Sequence, residues 1–108
     1  MRVALPQMLV AIAVLLPAHG ASAEDLDWKS CREGWRRVSN LEAANVSCDT
    51  ARWVARRFDH KTIEEGHWPG GSISVGRFEC HSRNTGYETY RIRCDRPDGA
   101  IVRFDWGV

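Results

Sequence analysis

The amino-acid sequence predicts an α+β domain in which one main helix packs on a three- or four-stranded antiparallel β-meander and is stapled there by disulfides. Three observations carry this expectation. An apolar stripe at helical spacing follows Ser47, a period-two alternation runs over residues 77–106, and four cysteines stand in a chain of only 108 residues.

The helix is expected near residues 48–60. Ser47 or Asp49 can accept hydrogen bonds from the free N–H groups of a first turn. Cys48, Ala51, Ala55 and Phe58 then share one face with Val54 beside them, while Arg52, Arg56 and Arg57 point elsewhere. Trp53, at the edge of that face, is within reach of Arg57 four residues on. Gly66-His67-Trp68-Pro69-Gly70-Gly71-Ser72 reads as a loop, because glycine and proline interrupt both helix and strand, and residues 73–75 begin an edge strand. In the alternating stretch Phe78, Cys80, Tyr90, Ile92, Cys94, Val102, Phe104 and Trp106 fall on an inner face. Arg77, Glu79, His81, Thr89, Arg91, Arg93, Arg103 and Asp105 fall on the outer one. Asn84-Thr85-Gly86 and Arg96-Pro97-Asp98-Gly99 are turn-formers, so three consecutive strands form a meander. Residues 24–46 carry competing patterns. Trp28, Cys31, Trp35 and Val38 recur at helical spacing, residues 35–38 fit a further strand equally well, and Ser39-Asn40-Leu41-Glu42 matches a capping box that would open a turn of helix.

Residues 1–23 divide as a secretory signal does, with Arg2, an apolar run over residues 8–16, and Ala21-Ser22-Ala23 at the cleavage position. The run is too short to span a bilayer, so no transmembrane segment is expected after cleavage, and the remainder, 24–108, is one small domain. The chain is therefore expected in the periplasm or outside the cell, where an even cysteine count means disulfides. Cys48 lies on the apolar side of the helix, and Cys80 and Cys94 on the apolar side of the sheet, which favours Cys48–Cys80 with Cys31–Cys94. The alternative is Cys48–Cys94 with Cys31–Cys80. Pairing Cys80 with Cys94 is disfavoured, because a turn at Asn84-Thr85-Gly86 would set Cys80 opposite Tyr90. Cys80 and His81 are neighbours on a strand and face opposite ways, so a thiolate–base pair there is sterically poor and the cysteines are read as structural.

Charge narrows the function. Of 15 basic residues one, Arg2, belongs to the leader, leaving 14 basic against 14 acidic, without the excess of a nucleic-acid binder. No nucleophile elbow, phosphate loop or dinucleotide fingerprint is present. His60, Glu64, Glu65 and His67 are the nearest approach to a metal cluster, but Gly66 and Pro69 take the chain out of the helix there, so the group reads as a solvated helix end and no metal or cofactor is expected. Glu79 and Asp105, with His81, are the residues a small hydrolase acting on envelope glycan would use, yet neighbouring arginines suit those acids better as ion-pair partners. Two binding candidates remain. One is the loop bearing His67 and Trp68, since tryptophan and arginine dominate binding hot spots. The other is the outer sheet face with Arg77, Arg91, Arg93 and Arg103.

Asn45-Val46-Ser47-Cys48-Asp49-Thr50-Ala51-Arg52, then Val54-Ala55-Arg56-Arg57-Phe58, and later Phe78-x-Cys80, Arg93-Cys94 and Val102-Arg103-Phe104 resemble a recurring class of small secreted bacterial proteins of actinobacterial type. The resemblance covers about positions 41–106. It implies a secreted, disulfide-linked helix-and-sheet domain and brings no activity with it. Arginine outnumbers lysine 13 to 2, as GC-rich bacterial coding would produce. The reading is thus of an exported, monomeric, non-enzymatic binding module for a protein or an anionic envelope component. N-terminal sequencing of the exported protein is expected to begin at Glu24.

Overall fold

The computed structural model describes residues 26–32, 35 and 37–107; the leader expected at residues 1–23 lies outside the described residues. In chain order these form β1 (Lys29–Ser30), β2 (Val38–Ala44), α1 (Cys48–Ile63), β3 (Ser72–Val75), β4 (Phe78–Gly86), β5 (Thr89–Asp95) and β6 (Ile101–Gly107). The strands make one antiparallel sheet of order β1-β2-β6-β5-β4-β3. The α+β class holds, but the sheet has six strands where three or four were expected.

Helix α1 starts where its cap demands. The Ser47 side chain accepts from the Thr50 N–H at 3.1 Å, and the Ser47 carbonyl accepts from Ala51. Asp49 in the first turn and His60 and Lys61 in the last complement the helix dipole. The helix runs a turn beyond the expected end, and its chain then reverses at Gly66, whose φ of 76° is open to glycine at little cost. Ala51, Val54, Ala55, Phe58, Asp59 and Thr62 are buried against the sheet. Phe58 meets Phe104 and Trp106 edge-to-face, with ring centroids 5.5 and 6.3 Å apart. Such pairs contribute about 1 kcal/mol each beyond the apolar area they bury. Trp53 does not take the expected partner Arg57. Its six-membered ring lies on the β3–β4 turn at Gly76, while the guanidinium stacked beside this helix is that of Arg56 on Trp35, at 4.7 Å.

The inner face of β4, β5 and β6 is the even-numbered one, as the alternation required. Cys80, Ile92, Cys94, Val102, Phe104 and Trp106 are at most 1% exposed. The edge strand expected at residues 73–75 is β3, while the other two strands outside the meander, β1 and β2, escaped the sequence pattern for separate reasons. Strand β1 is only two residues long. Strand β2 contains a bulge between Ser39 and Glu42, with Asn40 at φ 52°. The inserted residue moves the buried set from Val38 to the odd positions Leu41 and Ala43, so no single parity runs through it. The capping-box reading of Ser39-Asn40-Leu41-Glu42 is accordingly wrong; those residues are strand.

The disulfides also depart from expectation. They join Cys31 to Cys48 and Cys80 to Cys94, with Cα–Cα separations of 5.4 and 3.9 Å. The β4–β5 turn is made by Tyr87 and Glu88, not by Asn84-Thr85-Gly86, which belongs to a β4 that is nine residues long. Moving the turn, with an irregularity between Asn84 and Gly86, changes the register so that Cys80 faces Cys94 directly. Cys31 follows β1 and donates its N–H to Leu41 at 2.8 Å, which brings it to the start of α1. The free edge at β3 is guarded by Lys61, whose ammonium donates to the Ser74 carbonyl at 2.8 Å.

Thr62 is wholly buried on α1, and its Oγ1 has no hydrogen-bond partner among the described residues. An unsatisfied buried hydroxyl costs about 1–3 kcal/mol relative to an apolar group of the same shape. Thr62→Val is therefore expected to stabilise by about 1 kcal/mol, raising Tm by roughly 4–8 °C; thermal unfolding measures it.

Candidate functional site

One face of the sheet carries α1, and the opposite face carries the outward residues of its strands. On that outer face register alone places side chains in rows. His81, Arg93, Arg103 and Glu42 lie opposite one another across β4, β5, β6 and β2. The adjacent row, one pleat repeat or about 7 Å along the strands, holds Arg83, Arg91 and Asp105. The row on the other side holds Glu79 and Asp95. Four arginines and His81 thus surround one concavity of about 330 Å³, with the acids at its margins.

The acids orient these arginines. Arg91 Nε donates to Asp105 at 2.6 Å, Arg103 Nε to Glu42 at 2.6 Å, and Arg93 Nε to Asp95 at 3.2 Å. In each case the bond uses Nε alone of the five N–H donors a guanidinium carries. The planar fork is held in place with its other donors still available for a second anion. Asn40, at the β2 bulge, donates to the second oxygen of Asp105 at 2.7 Å, and the Trp28 ring lies 3.7 Å from the Arg103 guanidinium carbon. A stacked cation of this kind contributes about 0.5–1 kcal/mol at an exposed site. Arg83 has no ion-pair or hydrogen-bond partner among the described residues.

The other sequence candidates fall as follows. Arg77 stands in the Gly76-Arg77 turn rather than on a strand, outside the concavity, and its charge helps hold Asp98 down. Asp98 is lowered to about 2, chiefly by the hydrogen bond from Arg96. Trp68 is folded back so that its ring meets Trp106 edge-to-face at 5.7 Å, yet it remains 55% exposed, while the adjacent Pro69 is buried. It sits on the helix side of the sheet, away from the arginines. Glu65 lies between His60 and His67, at 3.4 and 3.9 Å, and no group of three or more metal-ligating side chains occurs among the described residues. Glu79 accepts from Ser74, Asp105 from Arg91 and Asn40, and the two acids lie in different rows on non-adjacent strands.

A second polar centre was not among the sequence candidates. Asp59, 3% exposed on α1, accepts from Arg37 Nε at 2.6 Å, Arg37 Nη2 at 2.9 Å, Trp106 Nε1 at 2.8 Å and Trp35 Nε1 at 3.1 Å. Both oxygens are satisfied, which is the condition for keeping a carboxylate charged in a core. Burial raises its pKa and is the largest single influence, but the bonds from Arg37, Trp106 and Trp35 together outweigh it and hold Asp59 below the usual carboxylate range. The one legible hint was the presence of three indole or guanidinium donors, Trp35, Arg37 and Trp106, that a small core could not bury without an acceptor.

Comparison of the chain with family models, with curated proteins and with solved structures returns no match.

A depressed pKa in the folded state means that the stabilisation from Asp59 is complete above the unfolded value near pH 4 and is lost as pH falls through the folded value. Asp59→Asn keeps the shape but removes one acceptor and the charge. It is expected to lose about 2 kcal/mol at pH 7 and to show a shallower acid loss than wild type, measured by urea unfolding between pH 7 and pH 2.

Proposed function

We propose that this chain is an exported, non-enzymatic binding module that takes an anionic group of an envelope polymer on the outer face of its sheet. The observation that supports this reading best is the single concavity shared by His81, Arg83, Arg91, Arg93 and Arg103. Rigid strands space the cations, the marginal acids fix Arg91, Arg93 and Arg103 through Nε, and their remaining N–H donors are left for an anion in the concavity these residues line. Export fits the two disulfides, which persist in an oxidising compartment, and no helix among the described residues is long and apolar enough to cross a membrane. A polymer suits the surface better than a small ligand, since the concavity is open and its rows repeat along the strands.

A hydrolase has less support. Its acids would have to face one cleft in contrasting environments, whereas Glu79 and Asp105 are each engaged by neighbours in separate rows.

Dextran sulfate serves as a probe polyanion, with uncharged dextran as control. Calorimetry is expected to show binding to the sulfated polymer alone, weakening as salt rises. The Arg83→Ala/Arg93→Ala double variant, altered at surface positions, is expected to bind at least tenfold more weakly with unchanged thermal stability. Binding that ignores both salt and this double variant would overturn the proposal.

A further inference from the structure

A second concavity, of about 420 Å³, lies on the opposite side of the molecule, along the exposed side of α1. Trp53, Arg57, His60 and Glu64 line it from the helix, at spacings of four, three and four residues that stack side chains on one face. Trp35 and Arg37 contribute from the chain ahead of β2, and Asp59 lies at its base. The base is already saturated, because the Asp59 carboxylate spends its acceptors on Arg37, Trp35 and Trp106. It offers a visiting ligand no charge.

The rim is different. Trp53 is 50% exposed, and its six-membered ring rests on Gly76. Gly76 has φ 61°, and a Cβ there would stand 3.0 Å from Cη2 and 3.2 Å from Cζ3 at the outer edge of the indole, so glycine is what lets that edge close on the turn. The result is a fixed aromatic platform with half its surface in water. Arg57 beside it has no ion-pair partner among the described residues, and His60 and Glu64 add a ring nitrogen and a carboxylate within the same groove.

An indole face with polar groups at its edge is complementary to a ring that is apolar on one side and hydroxylated around its perimeter, which is the chemistry of a pyranose. The unpaired guanidinium adds a preference for negative charge. We infer that this groove is a saccharide subsite for a pyranose bearing a carboxylate. The ring lies on Trp53, the carboxylate meets Arg57, and hydroxyls reach His60 and Glu64. The volume, at the small end of ligand pockets, suits one or two such rings. This subsite does not rest on the sheet-face reading, since it uses other residues on the other side of the sheet.

The test is titration of the oxidised protein with trigalacturonate, followed by tryptophan fluorescence and by the indole N–H resonances in NMR. Saturable binding is expected, with the Trp53 resonance shifted and with uncharged maltotriose at least tenfold weaker. Trp53→Ala and Arg57→Gln, both at the surface, are expected to weaken binding tenfold or more. Trp53→Phe is expected to recover part of it, and in the Arg83→Ala/Arg93→Ala variant the Trp53 resonance is expected to shift with the same saturation midpoint as in wild type, whatever the sheet face loses. Absence of saturable binding, equal binding of maltotriose, or affinity unchanged by Trp53→Ala would overturn the inference. Affinity lost only in the Arg83→Ala/Arg93→Ala variant would overturn it too, while leaving the sheet-face proposal standing.

Discussion

The carboxylate of Asp59 is the constraint around which the helix side of the molecule is arranged. It stands on α1 but is satisfied by Arg37 ahead of β2, by Trp35 further upstream and by Trp106 at the end of β6. Two segments distant in sequence are thereby fixed to one point of the helix. Apolar burial by itself sets the rotation of α1 on the sheet only coarsely, because the hydrophobic effect is non-directional. Four hydrogen bonds to one charged group set it more narrowly. The same contacts turn the Trp106 ring so that Phe58, Trp68 and Tyr90 can all pack around it.

The two sides of the sheet use charge in opposite ways. On the helix side a single acid is enclosed and fully satisfied, so its charge is consumed internally. On the outer side Glu42, Asp95 and Asp105 sit at the margins and each takes one donor of an arginine, which positions the cation without exhausting it. Surface ion pairs of this sort add little to stability. Their physical consequence is order in long side chains that would otherwise sample many rotamers.

What could be read in the sequence follows from how local each determinant is. Ser47 caps α1 and the stripe from Ala51 to Phe58 is buried, because capping and helical periodicity are set within a few residues. The alternation of β5, β6 and the first half of β4 survives for the same reason. Strand β2 was obscured by a bulge that changes parity at Asn40, and the disulfide pairing was misjudged because it depends on a register set by a turn at Tyr87 and Glu88, neither of them a strong turn-former. Of the candidate site, Arg91, Arg93 and Arg103 were legible as outward positions on regular strands, and Arg77 was misplaced by one turn. Arg83 was hidden because the expected turn began immediately after it. Asp59, Arg37 and Trp35 come together only through tertiary packing, and no spacing in the chain encodes that.

The positions of the two disulfides carry a mechanical corollary. The Cys31–Cys48 link closes a loop that contains all of β2, and the Cys80–Cys94 link closes one that contains the β4–β5 hairpin. Tension applied between the two ends of the domain bypasses both loops, since the covalent crosslinks transmit it directly. Only the segments before Cys31, between Cys48 and Cys80, and after Cys94 can lengthen. The arginine-bearing hairpin therefore stays folded upon itself under load, shielded by a sulfur bridge from any pull exerted on the chain around it.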